Sequence, residues 1–238
     1  MTKVGEKVSF YNREKEYISI LATGEHNVQE LCEKLFISEA TVRRDIAKMR
    51  EKETVTSKRG IVKLNTRSPD KRIPLFVRSM ENNSEKNEIA KKAIRFIEDG
   101  YTIMLDASTT AYYILSHLHE FKNLLIITNG AKTALEAASM GIRTICTGGE
   151  LTSDSFSYVG SDAEATLRKY NADIAFFSCR GLLENGIATD SSIFENSLRR
   201  IMIENSTKSY LLCDKNKIGK KYLNTLCNTK NIDGIITN

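Results

Sequence analysis

The apolar positions near the start of the chain recur with the spacing of helices, then break and resume twice. From Arg13 to Thr23 they are Tyr17, Ile18, Ile20 and Leu21, and Gly24 follows as a stop. From Val28 to Phe36, Val28, Leu31, Cys32 and Leu35 fall at i, i+3, i+4, i+7, with Asn27 placed as N-cap. Ser38 heads a third helix in which Val42, Ile46 and Met49 form the buried stripe, leaving Glu39, Thr41, Arg43, Arg44 and Lys48 outside it. Two short helices joined by a tight turn, the second basic and polar outside, predict a helix-turn-helix. Thr54-Val-Thr56 and Ile61-Val-Lys-Leu64 flank Ser57-Lys-Arg-Gly60, which suits a two-stranded wing with a basic tip.

Asn65 to Ser84 carries both prolines, Pro69 and Pro74, and no clean period, so it reads as a linker. Beyond it the pattern alternates. Helices over 86–98, 110–119, 131–139, 161–169 and 192–205 separate the apolar runs YTIMLD, LLIIT, IRTIC, DIAFFSC and SYLLCD, and GIIT comes last. Continuous apolar strands between helices predict a mostly parallel sheet covered on both faces. The expected division is a winged helix-turn-helix over 1–66, a linker over 67–84 and an α/β domain over 85–238.

Charge sharpens this division. The net charge is only +5, yet Thr41 to Arg67 holds nine basic residues against Asp45, Glu51 and Glu53. That segment alone carries +6, the signature of a local polyanion-binding patch. No apolar run approaches the ~20 residues of a membrane span, and MTKVGEKVSF lacks an apolar signal core, so a cytoplasmic protein is expected. Five scattered cysteines without a CxxC pair predict reduced thiols and no zinc site, with Cys146, Cys179 and Cys213 as core filling. No GxSxG, HExxH, Walker or dinucleotide fingerprint occurs, and His117 and His119 lie near a helix end, where solvated positions are common. No catalytic residue, metal or cofactor is therefore assigned.

Ligands of open α/β sheets bind beyond the carboxyl ends of strands, so those loops hold the candidate chemistry. After YTIML come Asp106-Ala-Ser-Thr-Thr110, where Ser108, Thr109 and Thr110 either cap a helix or cradle an anion at its N-terminus. The next loops offer Thr128-Asn129-Gly130, then Gly148-Gly149, whose backbone would admit a ligand closely. Glu195 starts the helix over 192–205, as an acceptor or a dipole partner, and Asp214 with Lys217 adds a carboxylate and a cation. Together these groups fit a small polyhydroxylated anion such as a sugar phosphate.

The runs ISEATVRRDI, EKNEIAKKA, YTIMLDASTT, IITNG, the glycine pair at 148–149, Gly160 and LLCDKNKIG resemble the DeoR family of bacterial regulators of sugar metabolism. The resemblance extends from Arg13 onward. It implies a winged helix-turn-helix, a sensor domain similar to ribose-5-phosphate isomerase and other phosphosugar-binding folds, and oligomeric repressors whose DNA binding responds to a phosphorylated sugar. The family pattern V-S-x-x-T-[IV]-R-R-D-[LI] falls on Ile37 to Ile46, with Ile37 for the first Val. The pattern D-x-G-T-T falls on Asp106 to Thr110, with Ser108 for glycine, narrowing the backbone's approach to a phosphate. Ser57-Lys-Arg-Gly60 departs from the family's basic Gly-Gly wing, and Arg180 is either an added phosphate ligand or a surface charge. The sequence ends directly after GIITN, and a final sheet-edge element is expected to be missing.

The expected function is a sequence-specific DNA-binding repressor of a sugar-utilisation operon, a homo-oligomer (dimer or tetramer) with a duplex operator and a sugar phosphate as partners. Ser38, Thr41, Arg43, Arg44 and Lys48 would meet the major groove, Lys58 and Arg59 the backbone, and Asp45 would orient one of the helix arginines. The alternative is a sugar-phosphate isomerase with an appended DNA-binding domain, using Glu195 or Asp214 as base and Lys217 as electrostatic partner.

Overall fold

The structure is a computed structural model and describes residues 10–22, 24–51, 54–65 and 82–238. Two compact units divide the chain, Met1–Glu81 and Asn82–Asn238. Of the expected linker over 67–84, residues 67–81 lie outside the described residues.

In the first unit, helices α1 (Phe10–Ala22), α2 (Val28–Leu35) and α3 (Glu39–Glu51) pack against a three-stranded sheet. Strands β2 (Val55–Lys58) and β3 (Ile61–Leu64) form the wing, and β1 (His26–Asn27), which the sequence pattern does not reveal, pairs with β3. Arg59 and Gly60 turn the wing with φ of 52° and 81°, the two left-handed residues of a type I′ hairpin. Asn27 and Glu30 form a capping box at α2, the side chain of each accepting the other's backbone N–H. Tyr17, Leu21, Leu31, Val42, Ile46, Met49, Val55 and Val62 make one buried core.

Asp45 behaves differently from the expectation. It points inward from α3, is 1% exposed, and pairs with Arg13 of α1 through Nε at 2.8 Å and Nη2 at 3.2 Å. Its neighbours Arg43 and Arg44 point outward, so it orients neither. A helix residue three positions from Val42 and one before Ile46 shares the buried stripe by periodicity alone. The pair fixes α3 against α1.

In the second unit, helix α4 (Asn83–Ala93) precedes six strands in one sheet. They are β4 (Thr102–Leu105), β5 (Leu125–Thr128), β6 (Arg143–Cys146), β9 (Ala172–Ser178), β12 (Ser206–Leu212) and β14 (Gly234–Ile236). Their order is β14-β12-β9-β4-β5-β6 and every pairing is parallel. The chain runs outward from β4 through β5 to β6, then returns to β4's other side with β9. The switch point, where open α/β sheets bind ligands, thus lies between the carboxyl ends of β4 and β9.

Both faces are covered. Ile103, Leu105, Ile126, Ile174 and Phe176 pack on Ile89, Ala93, Ile114 and Leu118. Met104, Ile127 and Ala175, alternate residues of the same strands, pack on helices α7 (Ser161–Leu167) and α8 (Ile193–Glu204). The segment expected as one helix over 110–119 is a short α5 (Thr109–Tyr112) continuing as a 3₁₀ stretch, Tyr113–Glu120. Helix α6 (Ala131–Ser139) lies in its expected place. A hairpin, β7 (Glu150–Leu151) with β8 (Tyr158–Val159), and an antiparallel sheet of β10 (Gly181–Leu182), β11 (Ile187–Asp190) and β13 (Asn224–Asn228) were not expected. Cys179 and Cys213 are core, as expected, whereas Cys146 is exposed because β6 is the sheet's edge. His117 is half-buried rather than solvated, with Nε2 2.8 Å from Asn87 Oδ1, and burial lowers its pKa.

Replacing Arg13 by Met leaves the Asp45 carboxylate buried without its cation. The first unit should lose about 2–3 kcal/mol, somewhat less than for a wholly buried pair because Arg13 keeps contact with water. A urea midpoint unchanged from wild type would refute this, and Arg13→Met/Asp45→Asn should be more stable than Arg13→Met alone.

Candidate functional site

On the first unit, the outer face of α3 is built by the Ser38 cap. Ser38 Oγ accepts from Thr41 N–H at 3.4 Å and lies 2.9 Å from Thr41 Oγ1. Arg43, Arg44 and Lys48 are exposed on the following turns, while Val42, Ile46 and Met49 hold the helix down. Arg43 is not a free cation: its guanidinium pairs with Glu39 Oε1 one turn earlier, at 2.6 and 2.8 Å. Arg44 makes no ion pair among the described residues. Lys58 and Arg59 are exposed at the wing tip, and Lys63 is tied to Glu25 at 2.6 Å. The seven residues picked out from sequence thus lie on α3 with its cap and on the wing of one small unit.

On the second unit, the switch point is organised by a residue that sequence reasoning missed. Arg199 of α8 is buried and donates to three carboxylates: Nε to Asp106 at 2.8 Å, Nη1 to Asp190 at 2.8 Å, and Nη2 to Glu195 at 3.1 Å. Burial works to lower the Arg199 pKa, but the fields of Asp190, Asp106 and Glu195 outweigh it and raise it further. Arg199 is a cation at any working pH.

Each carboxylate in turn fixes backbone. Asp106 accepts from Ser108 N–H at 3.1 Å and from Ser178 N–H at 3.2 Å, so it clamps the β4 exit loop to the end of β9. Asp190 accepts from Ser191 and Ser192 N–H. Glu195 accepts from Ser157 Oγ at 2.9 Å. Asp106 and Glu195 therefore serve the frame, with oxygens already engaged. Arg180 is neither a surface charge nor aimed outward: its Nε lies 3.9 Å from Asp190 on the same cluster.

Around this frame lie the groups that the protein leaves open. Ser108 caps α5, its Oγ accepting Ala111 N–H at 3.1 Å, so capping is what this hydroxyl does. Thr110 Oγ1 and Asn129 Oδ1 are buried and meet no partner among the described residues. Asn129 Nδ2 donates to Tyr158 O, which fixes the amide with its oxygen unused. Leaving such atoms unpaired costs on the order of 1–3 kcal/mol each. Thr128 and Asn129 end β5 beside β4, and Gly130 packs closely on the loop: a Cβ there would come within 3.1 Å of Ala107 Cα. Lys217 reaches the crevice from beyond β12, its Nζ donating to Ser178 Oγ at 2.8 Å and lying 3.6 Å from Asp214. The structure thus brings Asp106, Ser108, Thr109, Thr110, Thr128, Asn129, Glu195, Asp214 and Lys217 to one end of the sheet. The glycine pair differs. A Cβ on Gly149 would fall 2.7 Å from Val159 O, so its bareness is needed for packing under α7.

A winged helix-turn-helix and an α/β unit with a polar crevice at its switch point together define a DNA-binding regulator with a sensor domain. Residues 14–68 match the DeoR-like helix-turn-helix domain and residues 81–238 the DeoR C terminal sensor domain. The chain belongs to the DeoR family of transcriptional regulators. It is 34% identical over 224 residues to the HTH-type transcriptional regulator IolR of Bacillus subtilis (strain 168), spanning 94% of this chain and 88% of that one. It is 30% identical over 217 residues to the lactose phosphotransferase system repressor of Staphylococcus epidermidis, spanning 90% and 86%. Among solved structures, eIF2B delta from Chaetomium thermophilum has a TM-score of 0.51 at 17% identity, covering 68% of this chain and 58% of that chain, a likeness of fold alone.

Replacing Arg199 by Met leaves three buried carboxylates without their cation. The second unit should lose about 3–5 kcal/mol, seen as a fall in its thermal midpoint, and Arg199→Lys should recover only part because an ammonium cannot span all three.

Proposed function

We propose that this regulator represses a sugar-related operon and that a sugar phosphate at the β4–β9 switch point controls its hold on DNA. On the first unit, Ser38, Thr41, Arg43, Arg44 and Lys48 meet the major groove while Lys58 and Arg59 touch backbone phosphates. Recognition helices of this type present their N-terminal residues to base edges, and the first two turns of α3 expose Arg43 and Arg44. The Arg43–Glu39 pair holds one guanidinium in a defined direction, as bidentate reading of guanine requires. A homo-oligomer, dimer or tetramer, suits an operator of repeated half-sites, and the cytoplasm is where such a regulator meets DNA. Among the described residues no helix is long and apolar enough to cross a membrane.

The effector reading is carried by one observation: Thr110 Oγ1 and Asn129 Oδ1 are buried, adjacent to the clamped loop, and unpartnered. An acceptor fixed by its own amide calls for a ligand hydroxyl. Thr109, Thr110 and Lys217 supply hydroxyls and a cation for a phosphate. Ser108, Thr128, Gly148 and Asp214 shape the surrounding loops, Gly149 seats α7, and Asp106 and Glu195 act through Arg199. An isomerase would need Glu195 or Asp214 as a base, but both Glu195 oxygens are engaged by Ser157 and Arg199, and Asp214 accepts from Asn216 N–H with its other oxygen 3.6 Å from Lys217 Nζ.

Arg44→Ala should abolish specific operator binding while leaving thermal stability unchanged, since the side chain is exposed; operator affinity retained at low salt would rule out its role. Against a panel of sugar phosphates, the wild type should be stabilised by about 2.7 kcal/mol at one hundred times Kd. Thr110→Val should lose that stabilisation and keep DNA binding. A panel with no stabilising member, phosphorylated or not, would overturn the effector reading.

A further inference from the structure

Phe36 closes α2 in the left-handed region, with φ 54° and ψ 41°, and is 93% exposed. The turn requires that conformation. Ile37 N–H donates back to Cys32 O at 3.3 Å, the six-to-one bond of a Schellman ending, whose residue before it must be left-handed. Glycine or asparagine adopts this conformation readily, and a bulky aromatic does so rarely. The position thus carries backbone strain and an exposed aromatic ring, and packing among the described residues compensates neither.

Two features indicate what the ring faces. Ser38, which heads the recognition helix, is two residues further on, so Phe36 lies within about 7 Å of the helix start along the chain. In helix-turn-helix docking, that end of the helix enters the major groove. Second, the exposed large hydrophobics among the described residues of the first unit are Phe36 and Ile61. They sit on the turn before α3 and on the wing, beside the exposed basic residues Arg44, Lys58 and Arg59. Apolar surface placed among exposed cations suits a polyanion with apolar groups of its own.

We infer that Phe36 is a specificity-determining residue, its ring packing on the 5-methyl group of a thymine in the operator's major groove. This inference rests on the DNA-contact reading of α3. Aromatic contact with that methyl is one of the recognised ways to read a T·A pair. A left-handed bulky residue is then retained for function rather than stability.

The test uses the full chain and the duplex that it enriches most from a random library, made with thymine or with deoxyuridine, which lacks only the methyl. Wild type should bind the thymine duplex about tenfold more tightly than its uracil counterpart, the scale of one base-pair substitution. Phe36→Asn should bind both alike, at the wild-type affinity for uracil, while its thermal midpoint stays level or rises. Phe36→Leu should keep part of the preference. A Phe36→Asn protein with the full thymine preference would overturn the inference. So would equal loss on all sequences together with altered oligomeric state by light scattering, which would mark Phe36 as a contact with a second copy. A wild-type chain that enriches no duplex would overturn the reading of α3 and this inference with it. If Arg44→Ala abolishes binding and Phe36→Asn changes nothing, only the Phe36 inference fails.

Discussion

Arg199, buried among Asp106, Asp190 and Glu195, sets the geometry of the sensor unit's ligand crevice. Each of those ions alone would be costly to remove from water, and only their mutual hydrogen bonds make the cluster tolerable. Through its acids it joins the exits of β4 and β11, the end of β9, the hairpin residue Ser157 and the first turns of α8. Three carboxylates on one guanidinium leave an excess of negative charge, only partly answered by Arg180 at 3.9 Å. The negative charge therefore lies on the Asp190–Glu195 side of the crevice, and Lys217 supplies a cation from beyond β12.

The first unit applies the same rule with opposite effect. Asp45 is turned inward onto Arg13 and Glu39 is spent on Arg43, so the acids of α3's first turns are both neutralised locally. What remains outward is a field of positive sign on a helix whose position is fixed from behind. A polyanion gains long-range attraction from such a field, while the discrimination among sequences comes from short contacts near Ser38.

Much of this was legible in the sequence because it depends on local periodicity. The stripes Val28-Leu31-Cys32-Leu35 and Val42-Ile46-Met49 give helices and their buried faces directly, and continuous apolar runs give a parallel sheet. The loops at strand ends followed from topology. What escaped has a long-range cause. Arg199 meets Asp106 across 93 positions, and nothing in the two local sequences couples them. Asp45 looked like a neighbour of the arginines because it is adjacent in sequence, yet one residue along a helix turns the side chain by about 100°. The antiparallel β10-β11-β13 sheet has short strands of mixed polarity that show no period, and β13 reaches β11 from a distant segment.

The same geometry explains why a crevice rich in carboxylates belongs to a sensor. A general base needs a lone pair directed at the ligand, within hydrogen-bond reach and not held by the protein. Glu195 and Asp106 instead direct their oxygens at Arg199, at Ser157 and at backbone N–H groups. The groups left open are a threonine hydroxyl and an amide oxygen, which bind well and transfer protons poorly. A ligand that satisfied them would remove the cost of two buried unpaired atoms, a gain that depends on the β4 and β5 loops holding those atoms in place.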